Sequence, residues 1–136
     1  MTRRTRELRD QDFERLLRFR DGLRTFQHWS EEQARAVGLT GTQHQLLLAV
    51  RGHGSPPSVG DVAEHLLLRH HSVVEQIDRA ERAGLVIRTA DPDDHRVVRI
   101  ALTELGDDRL TALSRAHIEE LSRLHETIAA LWQDLP

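Results

Sequence analysis

The chain has 136 residues and no cysteine, which excludes disulfides and thiol-based redox sensing. Its hydrophobic content of 38% suffices for one modest core, and it has neither a secretory leader nor a run long enough to span a membrane, which predicts a single cytoplasmic domain with no membrane partner. A formal charge of −3 argues against a general nucleic-acid coat but leaves room for a localised basic surface.

The N-terminal segment begins with a basic stretch and continues as an amphipathic pattern. Its arginines are Arg3, Arg4, Arg6 and Arg9. They form either an arm that contacts DNA or a solvated terminus. From Asp10 onward, apolar residues recur at helical spacing: Phe13, Leu16, Leu17, Leu23 and Phe26. The sequence Ser30-Glu31-Glu32-Gln33 has the form of a capping box, so this helix either continues to Val37 or restarts at Ser30.

Two further capping boxes open the next two helices. Thr40-Gly41-Thr42-Gln43 precedes the five consecutive apolar residues 46–50, which predict a helix buried on nearly all sides. Residues 52–57 then break the chain. Ser58 and Asp61 cap a third helix. Its apolar residues share the spacing of one buried face: Val59, Val62, Ala63 and Leu66.

A fourth helix is followed by two β-branched runs. Val73, Ile77 and Ala80 fall on one face of the helix, and Gly84 marks its end. Residues 85–87 and 97–102 then read as strands around a polar tip at residues 91–94. Helix, turn, helix and hairpin is the pattern of a winged helix-turn-helix, which reads DNA.

Three motifs in this region resemble the MarR family of winged-helix transcriptional regulators. They are Gly38-Leu39-Thr40 before an apolar helix, Arg79-Ala80-Glu81-Arg82-Ala83-Gly84-Leu85-Val86, and Asp94-His95-Arg96 followed after five residues by Leu102-Thr103, with Gly106 continuing the last. The resemblance implies a short strand at residues 57–59 beside the hairpin. It also implies that a glycine is common at the position of Leu67, so leucine there predicts a different turn or a longer third helix.

The C-terminal segment, after a predicted N-cap at Thr103, carries a long apolar stripe. Its members alternate in spacing between three and four: Leu110, Leu113, His117, Leu121, Leu124, Ile128, Leu131 and Leu135. Such a seam favours a partner helix over packing within one chain. We therefore predict a mainly α (α+β) single domain spanning 1–136. Helices at 10–39 and 104–136 would form a homodimerisation region, and 40–103 a winged helix-turn-helix lobe.

The candidate DNA contacts lie on the fourth helix and on the hairpin. The outward helix residues are Arg69, His71, Ser72, Glu75, Gln76 and Arg79. Arg69 suits guanine and Gln76 suits adenine, whereas Glu75 needs a cytosine or an ion pair with Arg79. The resemblance implies that Arg96 enters a minor groove, and Asp94 would brace it by a forked pair. Arg88 and Arg99 are candidates for phosphates. The alternative is a solvated surface, because residues 66–100 hold six Arg and six acidic residues.

The predicted function is a homodimeric regulator that binds a pseudo-palindrome in double-stranded DNA, with half-sites about 10 base pairs apart. The resemblance implies repression released by a possible small-molecule effector. The candidate pocket residues are Phe26, Trp29, His44, Leu48 and His117. His28, His44 and His117 could converge, but no H-x3-H pair appears and the adjacent His70 and His71 would point about 100° apart, so no metal site and no cofactor are expected.

Two other function classes are alternatives to a DNA-binding repressor. One is a metal-responsive winged-helix regulator, and another is a winged-helix protein–protein interaction module. An enzyme is not expected, because the sequence shows no nucleophile–base pair, glycine-rich phosphate loop or spaced metal motif.

Overall fold

The computed structural model describes residues 6–133 and has the predicted winged-helix architecture. Its elements are α1 (Asp10–Ala36), α2 (Gly41–Gly52), α3 (Val59–Leu66), α4 (His70–Arg82), β1 (Val86–Ala90), β2 (Val98–Leu102) and α5 (Glu104–Trp132). Within the described range no helix is both long and apolar enough to cross a bilayer. Arg3, Arg4 and Leu135, which belonged to the predicted arm and the C-terminal stripe, lie outside the described residues.

Helix α1 is continuous through Ser30, so of the two alternatives that the sequence left open the uninterrupted helix is the one observed. Instead of capping a new helix, the Ser30 hydroxyl lies 2.6 Å from Nε2 of His117 on α5. The start of α1 is fixed by the Asp12 carboxylate, which accepts a hydrogen bond from the backbone N–H of Arg9 and pairs with Arg6 at 2.7 Å. That pair engages Arg6, one of the four arginines of the predicted arm.

The capping boxes of α2 and α3 form as predicted. Thr40 and Gln43 exchange hydrogen bonds of 3.0 and 3.1 Å, and Ser58 and Asp61 do so at 2.9 and 3.1 Å. However, α2 is not buried on all sides, because the side chain of Leu48 is 51% exposed. Leu48 points away from the inward face of Leu46, Leu47 and Val50.

The turn between α3 and α4 keeps its tight geometry although no glycine is present. Leu67 adopts the left-handed conformation with φ 54° and ψ 42°, and α3 ends at Leu66 rather than extending. The α3–α4 pair then closes on a common core, in which Val62, Val73, Ile77 and Ala80 are fully buried. The backbone therefore adopts the same kind of turn a glycine would support, at a steric cost to Leu67.

The wing is an antiparallel hairpin with Val86 opposite Leu102 and Ala90 opposite Val98. The strand predicted at residues 57–59 is present as a single bridge from Ser58 to Arg99, supported by a 2.9 Å hydrogen bond from the N–H of Ile100 to the carbonyl of Pro57. This third segment anchors the base of the wing to the start of α3.

The wing joins α5 through a tight junction. Thr103 caps α5 as predicted, since its hydroxyl accepts from the N–H of Gly106 and donates to the carbonyl of Gly84. A Cβ at Gly106 would lie 2.1 Å from the carbonyl oxygen of Leu85, so this position requires glycine. The junction sets the angle between the wing and the long C-terminal helix.

Helices α1 and α5 pack along each other but leave much of both apolar stripes uncovered. Leu110 and Leu113 are buried, and Phe19 meets Trp132 edge to face with ring centroids 5.8 Å apart. The exposed members of the stripes, with side chains 37–59% accessible, are Phe13, Leu16, Leu17, Leu23, Leu121 and Ile128. The described part of the chain therefore does not bury these faces by itself.

Candidate nucleic-acid interface

Helix α4 separates a buried face from an accessible one, as predicted. Val73, Ile77 and Ala80 are fully buried in the lobe. The predicted reading residues lie on the other side: Arg69, His71 and Arg79 are exposed, and Ser72 and Gln76 are half-buried. Arg69 occupies the N-cap but makes no side-chain hydrogen bond to the helix. The first N–H groups of α4 are thus available to an incoming anion near these side chains.

The unpaired positive charge of the lobe is concentrated on α4. Arg69, Arg79 and Arg82 are exposed, and none of them forms an ion pair with another residue in 6–133. The pair between Glu75 and Arg79, one of the two alternatives for Glu75, is also absent, and both side chains are accessible. The helix and its N-cap therefore carry three arginines and one glutamate that form no ion pair within residues 6–133.

Gln76 is turned partly inward. Its Oε1 atom is buried and has no hydrogen-bond partner within the described part of the chain. Reading a base with both ends of the amide needs the oxygen as an acceptor, so the side chain must change rotamer to make the predicted adenine contact.

The tip of the wing is organised by Asp91. Its carboxylate accepts hydrogen bonds from the backbone N–H groups of Asp93 at 2.8 Å and Asp94 at 2.9 Å, and from Nε of Arg99 at 2.7 Å. The bond from Arg99, followed by the two backbone bonds, lowers the pKa of Asp91 below its ordinary value. The ionised carboxylate holds the tip loop in one conformation.

Asp94 forms the predicted forked ion pair with Arg96. Its two carboxylate oxygens accept from Nε of Arg96 at 3.0 Å and from a terminal guanidinium nitrogen at 3.1 Å. These bonds lower the pKa of Asp94, so the pair is ionised at neutral pH. The Arg96 side chain is nevertheless 91% exposed. The wing therefore presents an oriented cation to the outside.

Arg88 and Arg99, the candidates for phosphate contacts, are both held in ion pairs with carboxylates. Arg88 binds Asp78 and Glu81 on α4, the latter at 3.1 Å. Arg99 binds Asp91 at the tip and lies 3.7 Å from Asp61 on α3. Both side chains are about 30% exposed because carboxylates flank them. They fasten the wing to α4 and α3. Asp78 and Glu81 lie three residues apart on α4, but their spacing alone does not identify Arg88 as their partner.

Four of the five predicted pocket residues come together where α1, α2 and α5 meet. The His117 ring lies 4.8 Å from Trp29, 5.9 Å from Phe26 and 4.7 Å from His44, measured between centroids. Leu48 is the exception, because its side chain does not join this cluster. It faces a shallow depression lined by His65 and Leu66 on the opposite side of α2.

The two histidines of this aromatic cluster (Phe26, Trp29, His44 and His117) are placed for packing rather than for binding an ion. Burial lowers the pKa of His44, and the adjacent His117 lowers it further. Both nitrogens of His117 are occupied, by the Ser30 hydroxyl and by the carbonyl of Leu113 at 2.8 Å. His28 lies apart on the surface of α1, 3.0 Å from Glu32. The three histidines considered for a metal therefore do not converge, and residues 6–133 contain no group of three or more ligating side chains placed for an ion.

Comparison with known proteins agrees with this geometry. A sequence model described as the MarR family matches residues 37–97. The HTH-type transcriptional repressor MdtR of Bacillus subtilis (strain 168) is 33% identical over 76 residues, which are 56% of this chain and 48% of MdtR. The chain spans about half the length of the curated relatives it matches.

Solved structures share the fold over most of the chain. AbsC, a MarR family transcriptional regulator from Streptomyces coelicolor, superposes with a TM-score of 0.74 at 24% identity, and the match covers 94% of each chain. A mutant of MepR from S. aureus, solved bound to an oligodeoxyribonucleotide, superposes with a TM-score of 0.66 at 22% identity over 79% of each chain. At these identities the likeness is evidence for the fold.

Proposed function

Since a sequence model of the MarR family matches residues 37–97, we propose that the chain belongs to this family and is a homodimeric, sequence-specific DNA-binding transcriptional regulator of the cytoplasm. It forms a single domain in which residues 40–103 bind DNA, and 10–39 and 104–136 dimerise. Its chemistry is non-covalent recognition rather than enzymatic catalysis. The observation that carries the proposal is Arg96, a forked and outward-facing cation at the tip of the wing.

Two surfaces of the lobe contact DNA in this proposal. Helix α4 enters a major groove with Arg69, His71, Ser72, Gln76 and Arg79. Arg96 enters the adjacent minor groove, where a narrow A·T-rich segment concentrates negative potential. Asp94 contributes by holding the guanidinium in place. Because its negative charge partly cancels that of Arg96, it weakens the non-specific attraction of the wing to phosphates. Recognition therefore depends on position more than on total charge.

The exposed apolar stripes support the dimer. A monomer that leaves leucines and a phenylalanine half-accessible along two long helices has a contiguous apolar surface of the kind that marks an interface. A two-fold dimer would cover it and place two lobes side by side, so that they read a pseudo-palindrome with half-sites about 10 base pairs apart.

The aromatic cluster is the proposed effector site, by which a small molecule releases the repressor from DNA. It lies between the two long helices and the lobe, so a planar aromatic or amphipathic compound that parts its rings would change the angle between dimer region and wing. Such a ligand acts by preferring the conformation whose two lobes do not match the operator spacing.

The test begins with selection of bound sequences from a random duplex pool, which should return a palindrome. On that duplex, Arg96→Ala should weaken binding about 10- to 100-fold without loss of helical content or of the dimer, because Arg96 pairs with Asp94 alone within residues 6–133. Arg115→Ala, an exposed arginine of α5, is the charge-matched control and should bind normally. Binding should also weaken steeply with salt. Unchanged affinity of Arg96→Ala, or no duplex binding even at low salt, would refute the assignment and favour a protein–protein module.

A further inference from the structure

A pair of histidines outside the proposed DNA and effector sites lies at the corner between α2 and α3. His53 directly follows α2 and His65 is in the last turn of α3. Nδ1 of His53 and Nε2 of His65 share a hydrogen bond of 2.9 Å, and the two rings are nearly perpendicular at 82°. We propose that these two nitrogens bind a late first-row divalent cation, namely Cu²⁺, Ni²⁺ or Zn²⁺.

The spacing of the two nitrogens fits coordination to one ion. Imidazole nitrogens lie about 2.0–2.1 Å from Zn²⁺, so two ligands at angles near 90–110° stand about 2.9–3.4 Å apart. The observed 2.9 Å falls at the lower limit of that range. Small rotations of the His53 and His65 side chains would therefore direct both nitrogens at an ion placed to one side of the line between them.

Asp61 favours the tautomer of His53 that can ligate. Its Oδ2 lies 3.5 Å from Nε2 of His53, the nitrogen that faces away from His65. Asp61 is itself fixed by the N–H of Ser58 at 2.9 Å and by Arg99 at 3.7 Å. A carboxylate behind a histidine attracts the ring N–H, so Nδ1 of His53 is the nitrogen that carries the lone pair facing His65.

The pair is accessible to an ion and differs in this respect from the other close histidine pair. The His53 side chain is 27% exposed and His65 is exposed. His117, by contrast, is bonded to Ser30 and to the carbonyl of Leu113 inside the aromatic cluster. The nitrogens of His53 and His65 are hydrogen-bonded to each other, so an entering ion displaces only the proton that they share. Water completes the coordination of a two-histidine site, and imidazole ligands favour Cu²⁺, Ni²⁺ and Zn²⁺ over Mg²⁺ or Ca²⁺.

The bound ion would tie the end of α2 to the end of α3. Both helices pack on the core beneath α4. Asp61 of α3 also lies close to Arg99 on the wing, so the ion site is connected to the wing through this pair. Because only the folded chain brings the two histidines together, the ion should raise the melting temperature, by about 5–10 °C at a hundredfold excess over the dissociation constant.

The experiment is calorimetric titration of the full chain, prepared without a polyhistidine tag, with CuCl₂, NiCl₂, ZnCl₂ and MgCl₂ at about pH 7.5, where unperturbed histidines are mostly neutral. We expect one Cu²⁺, Ni²⁺ or Zn²⁺ per chain, tightest for Cu²⁺, and no binding of Mg²⁺. His65→Ala, at an exposed position, should abolish the binding while circular dichroism stays unchanged. Asp61→Asn should weaken it about tenfold.

The matched control is His28→Ala, which removes an exposed histidine of α1 and should bind as the native chain does. The proposal is overturned if the native chain takes up no ion, if the double variant His53→Ala/His65→Ala still binds one, or if His28→Ala loses binding equally. None of these results depends on DNA binding, so the metal proposal and the regulatory proposal can fail separately.

Discussion

The backbone of Leu67 is strained, and packing of its side chain does little to offset the strain. Its φ of 54° costs a side-chain-bearing residue about 1–2 kcal/mol, and 91% of the leucine is exposed, so packing returns little. Leu67→Gly should therefore stabilise the chain by about 0.5–1 kcal/mol, after allowing for the larger backbone entropy of glycine in the unfolded state. Urea unfolding of the two proteins measures the difference.

Leu68→Gly is the natural control for that substitution. Leu68 follows directly in the same turn, but it does not have a positive φ and is less exposed. Glycine there removes apolar contacts and adds unfolded-state entropy, so it should destabilise. If both variants lose stability, the left-handed conformation of Leu67 carries no energetic penalty and the strain argument fails.

His44 couples stability to mildly acidic pH. Burial, and then His117, lowers its pKa in the folded chain below the ordinary value of 6.5. Between 6.5 and the lowered pKa the unfolded chain binds more protons than the folded chain, so the free energy of unfolding falls as pH decreases through this window. One such group contributes at most about 1.4 kcal/mol per pH unit.

The measurement is urea unfolding at several pH values between about 5.0 and 7.5, where the paired aspartates remain ionised. His44→Leu removes the titrating ring from the aromatic cluster and should flatten the pH dependence, whatever its effect on absolute stability. A slope that is the same in His44→Leu and in the native chain would assign the effect to other histidines.

At the scale of elements, the starts of α2 and α3 could be predicted from the sequence, whereas the neighbours of individual side chains in the fold could not. Capping boxes at Thr40 and Ser58 are local, because residues three apart supply both partners. Exposure of Leu48 and continuity of α1 at Ser30 depend on what packs nearby. The same holds for Arg88, whose carboxylate partners come from a different element. Sequence spacing reports a face of a helix but not what covers it.

The wing tip is an element held by one carboxylate, which makes it testable. Asp91→Ala removes two bonds to backbone N–H groups and the pair with Arg99, so the loop that presents Arg96 should become mobile. Operator affinity should fall roughly threefold to tenfold, less than on loss of Arg96 itself, because the guanidinium is still present but no longer oriented. Amide hydrogen exchange of residues 91–97 should accelerate.

Asp93→Ala is the control for the tip. Its exposed side chain lies in the same loop and carries the same charge, whereas only its backbone N–H contributes to the loop, and that group survives the substitution. Equal losses of affinity in the Asp93 and Asp91 variants would mean that loop charge rather than loop order governs binding, contrary to the role given to Asp91.

At the scale of the whole molecule, the wing and α4 can be specific only if a second copy fixes their distance to another half-site. The Asp94–Arg96 fork orients one cation, and one lobe contacts few bases, so a single lobe discriminates weakly. Two lobes joined through α1 and α5 contact twice as many bases and demand a defined spacing. In the proposed dimer, the stripe of α1 residues left exposed in one chain is therefore the feature on which specific binding depends.

Leu16→Glu tests that dependence. Leu16 is 59% exposed in the described chain and lies at the apolar end where Phe19 and Trp132 meet, so a carboxylate there leaves one chain folded. In a two-fold dimer it places two unpaired charges in an apolar interface, which should weaken self-association at least about 100-fold. Sedimentation should show monomers, and affinity for the palindrome should fall while a half-site duplex binds as weakly as before.

Thr25→Glu, nine residues on and thus on the opposite side of α1, should remain dimeric. If Leu16→Glu stays dimeric and Thr25→Glu dissociates, the pairing face lies on the other side of the helix, and the half-site spacing inferred from it changes accordingly.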